Sequence, residues 1–194
     1  RNKIAPENRF SGAILFLSML FLFGGCAGVL VDALEKSQAE DNTKNAQTAL
    51  AAGQRTFDLS KKKLMKAIVT AFANRNLPVM NLDKEIGFMV AEGAEFLDPA
   101  KVKEIGEKRI ERLNKNAYPG AFRYQAGNYT LRITVNLFEK GEDKTLAKMG
   151  FTSVTQGTYT HKFDGVPHEF LPVYYEEMWA EIEKAIFVQR ELVQ

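Results

Sequence analysis

"YTLRITVNLF", residues 129–138, sets Tyr129, Leu131, Ile133, Val135 and Leu137 against Thr130, Arg132, Thr134 and Asn136 in strict alternation. A period of two sends one row of side chains to a core and the other to water, so this stretch reads as a half-buried β-strand. A lone strand or hairpin is not stable in water, so partners and a covering layer must lie elsewhere in the chain. Downstream, "EKGED" (139–143) turns the chain, and 145–155 returns with Ala147, Met149 and Phe151 on one face. "GTYTHKF" (157–163) reads as a last strand, ending in a turn at Asp164-Gly165. Upstream, 78–92 reads as a hairpin through "DKEIG", where Gly87 supplies a backbone angle that a branched residue resists. "RTFDLS" (55–60) reads as a short strand that ends in a helix cap at Ser60 or Asp58.

Two helices supply the cover. "KKKLMKAIVTAFANRN" (61–76) places Leu64, Ile68, Ala71 and Phe72 on one stripe with Ala67 beside it, and Pro78 stops the helix. From about Pro172 to Glu191, Tyr175, Met178, Trp179, Ile182, Ala185 and Ile186 make a broad apolar stripe. The pattern therefore specifies an α+β domain over 55–194, with an antiparallel sheet of about five to six strands packed by an early and a C-terminal helix. One further helix interrupts the strand series. Asp98-Pro99 is a start signal, with Asp as N-cap and Pro at the first position, for a helix over about 98–115. Val102, Ile105, Arg109 and Leu113 share a stripe on it while most of its surface is charged, so it reads as a surface helix inserted between strands.

The N-terminal part differs in kind. Residues 26–54 hold no aromatic side chain and few large apolar ones, too little to offset the entropy of ordering, and read as a polar tether with latent helical propensity. Ahead of it, Ser11 to Val31 carries no charge, Lys3 and Arg9 precede the run, and Gly24 and Gly25 precede Cys26, the chain's single cysteine. A basic start, an apolar centre and small residues at its end describe a secretory signal over residues 1–25. A transmembrane helix is the alternative, since the uncharged run is long enough to span about 30 Å of hydrocarbon. One cysteine also excludes an internal disulfide.

The "FLFGGCAG" stretch (21–28) resembles the lipobox of bacterial lipoproteins, with Phe23 where that family usually has Leu. The resemblance implies cleavage before Cys26, acyl chains on its sulfur and new amino group, and an envelope location. Ala27, in place of the Asp of inner-membrane retention, points by the same resemblance to the periplasmic face of the outer membrane. The strand-helix-hairpin unit "FDLSKKKLMKAIVTAFANRNLPVMNLDKEIGFMVAEG" (57–93) and the terminal "YEEMWAEIEKAIF" (175–187) resemble the helix-grip, or TBP-like, domain of envelope lipoproteins, including the BamC-like accessory lipoproteins of the β-barrel assembly machine. That likeness implies a binding or scaffolding role and carries over no catalytic residue and no cofactor.

Charge and motifs add exclusions. The chain has a formal net charge of +2, and without residues 1–25, which hold Arg1, Lys3 and Arg9 against Glu7, it is neutral. No attraction to nucleic acid follows. The chain contains no G-x-S-x-G, P-loop or G-x-G-x-x-G, and acylation would remove the only thiol. His161 and His168, with Asp164 between them, make too small a donor set for a metal centre, and Lys61–Lys63 reads as the solvated start of a helix. The expectation is a non-enzymatic, lipid-anchored module that binds another envelope protein. Its partner surface would draw on Phe170 and Tyr174, which lie off the terminal helix stripe, and on Val102 and Leu113 of the inserted helix. A small-ligand or lipid carrier, with a cavity between sheet and C-terminal helix, is the competing reading.

Overall fold

The structure, a computed structural model, describes residues 11–123, 129–155 and 165–191, and the side chains of 28–123, 130–153 and 165–191. In chain order the elements are α1 (Ser11–Ala52), β1 (Gln54–Phe57), α2 (Lys61–Asn74), β2 (Val79–Asp83), β3 (Phe88–Gly93), α3 (Pro99–Asn116), β4 (Tyr129–Gly141), β5 (Lys144–Thr155) and α4 (Leu171–Glu191). The five strands form one antiparallel sheet in the order β1-β5-β4-β3-β2, which fixes the α+β class. The strand expected over 157–163 lies outside the described residues.

Register follows the sequence pattern. Ile133 of β4 faces Ala91 of β3 and Phe151 of β5, and Val135 faces Met89 and Met149, so the apolar rows of three strands merge into one face. Leu131, Ile133 and Val135 are fully buried there. α2 and α4 lie over that face. Leu64, Ala67, Ile68, Ala71 and Phe72 from α2 meet Tyr175, Met178, Trp179, Ile182 and Ala185 from α4, all within 2% of full burial. Each large side chain removed from water this way contributes about 1.5–3 kcal/mol, so this layer holds most of the stability.

The turns behave as their residues require. Gly87 sits at φ 76 with Leu137 O 2.9 Å from where a Cβ would stand, so any side chain there is doubly disfavoured. Asp98 caps α3, accepting from Ala100 N at 2.8 Å, with Pro99 in the first turn. Ser60 precedes α2 as expected, but its side chain makes no cap bond, and only its carbonyl accepts, from Leu64 N.

The segment 26–54, read as a polar tether with latent helical propensity, is helical up to Ala52 as the end of α1, and this helix docks on the domain. Ala33, Ser37 and Asp41, spaced four apart, are all buried, and Trp179 Nε1 donates to Ala52 O at 2.7 Å. Helical propensity was legible in the composition. The docking was not, because α1 is held by small and ionic side chains instead of large apolar ones. Among the described residues no helix is long and apolar enough to cross a membrane, and the side chains of the 1–25 leader and of Cys26 lie outside them.

Candidate functional site

The four residues expected to form a partner surface do not form one. Phe170 and Tyr174 are 7% and 1% exposed, Leu113 is 4% exposed, and Val102 is half-buried against the core. Tyr174 stacks on Phe151 and Phe170 and tilts against Phe96, and its hydroxyl donates to Glu95. The reason is geometric. The start of α4 is covered from two sides, by β5 through Phe151 and by the segment ahead of α3 through Phe96, so its buried stripe is wider than a helix on a flat sheet would show. Leu113 faces inward for a related reason, since α3 is packed against α1 and not free at the surface.

What the fold does bring together is an ionic cluster where α1, α3 and the entry to α4 meet. Arg112 is its centre. Its Nε donates to Glu169 at 2.7 Å, one terminal nitrogen to Asp41 at 2.8 Å, and the other to Ser37 Oγ at 2.8 Å and Glu40 at 3.1 Å. The side chains of Arg112, Asp41 and Glu169 are 14%, 6% and 12% exposed, far drier than an ordinary surface pair. Burial disfavours the Arg112 cation, yet the hydrogen bonds and charges of Glu169, Asp41 and Glu40 outweigh it and hold its pKa above the ordinary value. Arg109, one turn away, is the reverse case. Burial pushes its guanidinium down despite Asp41 and Glu169, and its Nε is buried with no hydrogen-bond partner.

His168 belongs to this cluster. Its Nδ1 lies 2.7 Å from Asp41 and its Nε2 3.1 Å from Lys44 Nζ. An ammonium can only donate, so Nε2 accepts and Nδ1–H donates to Asp41. Asp41, His168 and Glu169 each offer a ligand atom within 4.8 Å of the others. Chemically this is a closed lattice. Every one of those atoms is engaged, and Arg112, Arg109 and Lys44 already balance Asp41, Glu169 and Glu40, so a metal ion would have to displace the guanidinium. The arrangement clamps three elements and offers no open coordination position. His161 and Asp164, the other members of the weak set read from sequence, lie outside the described residues. Asp41 was missed because it is 127 positions away from His168 in the chain.

A second ionic joint ties α2 to α4 and α3. Glu181, only 7% exposed in the middle of the α4 stripe, accepts from Asn74 at 2.9 Å and from Arg75 at 3.1 Å. Glu177 accepts from Lys101 at 2.8 Å and Arg75 at 3.3 Å, and the Lys101 bond holds its carboxyl below the usual range. The space between sheet and α4 is filled: Tyr175, Met178, Trp179 and Ile182 are each within 1% of full burial, and Tyr175 donates to Met149 O at 3.0 Å. Two shallow grooves open at the surface instead. One runs between β1 and the end of α4, lined by Arg55, Phe57, Glu183, Ile186, Phe187 and Arg190, and the other lies beside Arg75 and Phe96.

The other face of the sheet carries no helix among the described residues. Arg132, Asn136, Lys148 and Thr152 are exposed on it, Thr134, Val90 and Leu146 are half-buried, and Phe138 is 45% exposed under Lys148. Arg132 pairs with Glu92 across the strands, with side chains 49% and 26% exposed.

No family model matches this sequence, and no curated protein matches it. Among solved structures, the chain is similar to a DUF4468 family protein from Bacteroides ovatus, at 9% identity and TM-score 0.38, over 69% of this chain and 84% of that one. It is also similar to a TBP-like protein from Parabacteroides distasonis, at 10% identity and TM-score 0.36, over 69% of this chain and 90% of that one.

Proposed function

We propose that this chain is a lipid-anchored envelope protein that acts as a non-enzymatic binding module for another envelope protein. The observation that carries the binding reading is the sheet face that no helix covers among the described residues. It presents a mixed surface of Thr134, Asn136, Arg132 and Lys148 with Val90, Leu146 and Phe138 among them, on a scaffold made rigid by the packed layer beneath. Rigid, mixed surfaces with aromatic and Arg side chains are what protein interfaces favour. The filled space between sheet and α4 speaks against the carrier alternative, and the closed lattice around His168 gives hydrolytic chemistry no open position. Cys26 is the proposed acylation site, supported by the uncharged run 11–31 and the small residues before it, and the periplasmic face of the outer membrane is the proposed location. Anchoring raises the local concentration of module and partner and so strengthens a weak contact. A photo-crosslinking residue at Asn136 in the membrane-borne full chain should trap one protein reproducibly, while the same residue at Glu183 should not. No adduct at Asn136, or the same adducts at both positions, would overturn the reading.

A further inference from the structure

α1 and α3 run antiparallel. Along α4 and its entry, α3 meets Glu169 through Arg112 and Glu177 through Lys101, whereas α1 meets His168 through Lys44 and Trp179 through Ala52, so rising numbers in α1 go with falling numbers in α3. The C-terminal end of α3 therefore lies at the end of the molecule from which α1 leads back to Cys26. Past α3 the chain makes a tight turn at "YPGA" (118–121), with Ala121 N bonded to Tyr118 O at 3.1 Å and Gly120 at φ 79. Pro second and a positive-φ Gly third are what a type II turn requires. The turn is pinned, because Asn114 bonds both ways with the Phe122 backbone, accepting at 2.8 Å and donating at 3.1 Å.

This fixed turn holds Tyr118 outward, 44% exposed, between exposed Lys115 and Arg123. On α1 at the same end, Val29 and Val31 are 43% and 48% exposed. They continue the uncharged run 11–31 up to the domain. Counting about 1.5 Å per residue from the Arg112 contacts at 37–41, Cys26 lies about 17–23 Å along α1 and Tyr118 about 9 Å along α3, so Tyr118 stands about 8–14 Å above the level of Cys26. A headgroup layer adds about 5–7 Å to each side of the hydrocarbon, so the Tyr118 ring enters it when α1 tilts on its anchor toward this side. Lys61–Lys63 sits at the far end, where Lys61 bonds Glu85 O and faces Glu139 beside the β4–β5 turn.

We infer that the Tyr118 turn is a membrane-interface contact: it seats in the headgroup layer of a phospholipid bilayer, with Lys115 and Arg123 on the phosphates. This rests on the anchored reading above. Tyr suits that layer because its ring is apolar and its tip wet, and each nearby Lys or Arg favours an anionic surface within a Debye length. Asp32, Glu35 and Lys36 are exposed on the neighbouring stretch of α1 and leave the electrostatic part small, so the aromatic ring and the valines supply most of the contact.

The test uses the full chain reconstituted into phosphatidylcholine vesicles with and without phosphatidylglycerol. A spin label is placed at Pro119→Cys or, at the opposite end, at Glu142→Cys, and the unsubstituted chain checks that Cys26 takes no label. The label at 119 should be several-fold less accessible to a water-soluble nickel relaxant than the label at 142, and adding Tyr118→Ser should remove most of that difference. Stable vesicle association with equal accessibility at 119 and 142 would overturn this contact and leave the anchor standing. No vesicle association would overturn the anchored reading and this contact together.

Discussion

Two joints hold this molecule, and they are built from opposite materials. The sheet, α2 and α4 meet through Leu64, Phe72, Met89, Ile133, Met178 and Trp179, all within 1% of full burial. α1 meets α3 and α4 through Ala33, Ser37, Asp41 and the Arg112 cluster, with no large apolar side chain fully buried on α1 among the described residues. The first joint is non-directional and scales with the area removed from water. The second is directional and depends on each partner being present, because a buried charge left alone costs more than the pair contributes. The first should therefore fail globally and the second locally.

The largest effect belongs to the apolar joint. Phe72→Ala leaves a cavity at a fully buried position beneath α4 and should cost about 3–5 kcal/mol. Because Phe72 packs in the common core, the loss should appear as one cooperative shift of the chemical denaturation midpoint. A separate early transition confined to α1 would show that the two joints are less distinct than their composition implies.

Arg112→Ala comes next and should look different. It takes the guanidinium from Asp41 and Glu169, 6% and 12% exposed, leaving Asp41 only His168, a loss of about 3 kcal/mol by comparison with other broken buried pairs. Amide exchange should accelerate over 33–45 and in the turn before α4 while β4 amides keep their protection. Uniform acceleration across the sheet would mean that the clamp is part of the core and not an attachment to it.

The same contrast explains what was legible in the sequence. The alternation of 129–138 and the stripe of 61–76 announce the apolar joint, because area burial leaves a periodic trace in residue type. Asp98-Pro99 and Gly87 were legible for a second reason, since each answers a local backbone need. The α1 clamp leaves no such trace: Ala, Ser, Asp and Asn at a helical interface have the composition of a solvated spacer, and their partners come from elements far along the chain. Tyr174 and Phe170 were misjudged on the other side of the same rule. A periodic stripe shows which residues face one neighbour, and the start of α4 has two. The ionic contacts of Glu181 within the α4 stripe were equally invisible, since Asn74 and Arg75 are more than a hundred positions earlier.

Acid should loosen the ionic joints at a pH the apolar one ignores. The hydrogen bond from Lys44, with help from Arg112, holds Glu40 below its ordinary range against a smaller burial cost, and Lys101 does the same for Glu177. Folded values below unfolded ones stabilise the fold at pH above the unfolded carboxylate value of about 4.3, and that contribution is lost as pH falls through the folded value. Exchange over 33–45 should therefore rise as pH drops below about 4, after correction for intrinsic rates, before the core unfolds. Glu40→Gln should remove its share of that pH dependence, and an unchanged profile in this variant would assign the loosening to other carboxylates.

The smallest expected effect is the sharpest check on burial as the deciding variable. Lys108 and Arg112 sit one turn apart on α3 and both pair with carboxylates, Lys108 with Glu104 at 2.7 Å and Arg112 with Glu169 at 2.7 Å. The first pair is 62% and 65% exposed, the second 14% and 12%. In water the attraction is weak, salt screens it, and holding two long side chains together costs entropy. Lys108→Ala should therefore leave the denaturation midpoint and the exchange of 33–45 unchanged at moderate salt. If it moved α1 as Arg112→Ala does, the charge pattern of α3 as a whole, and not the dry contacts of one arginine, would be what holds the first helix in place.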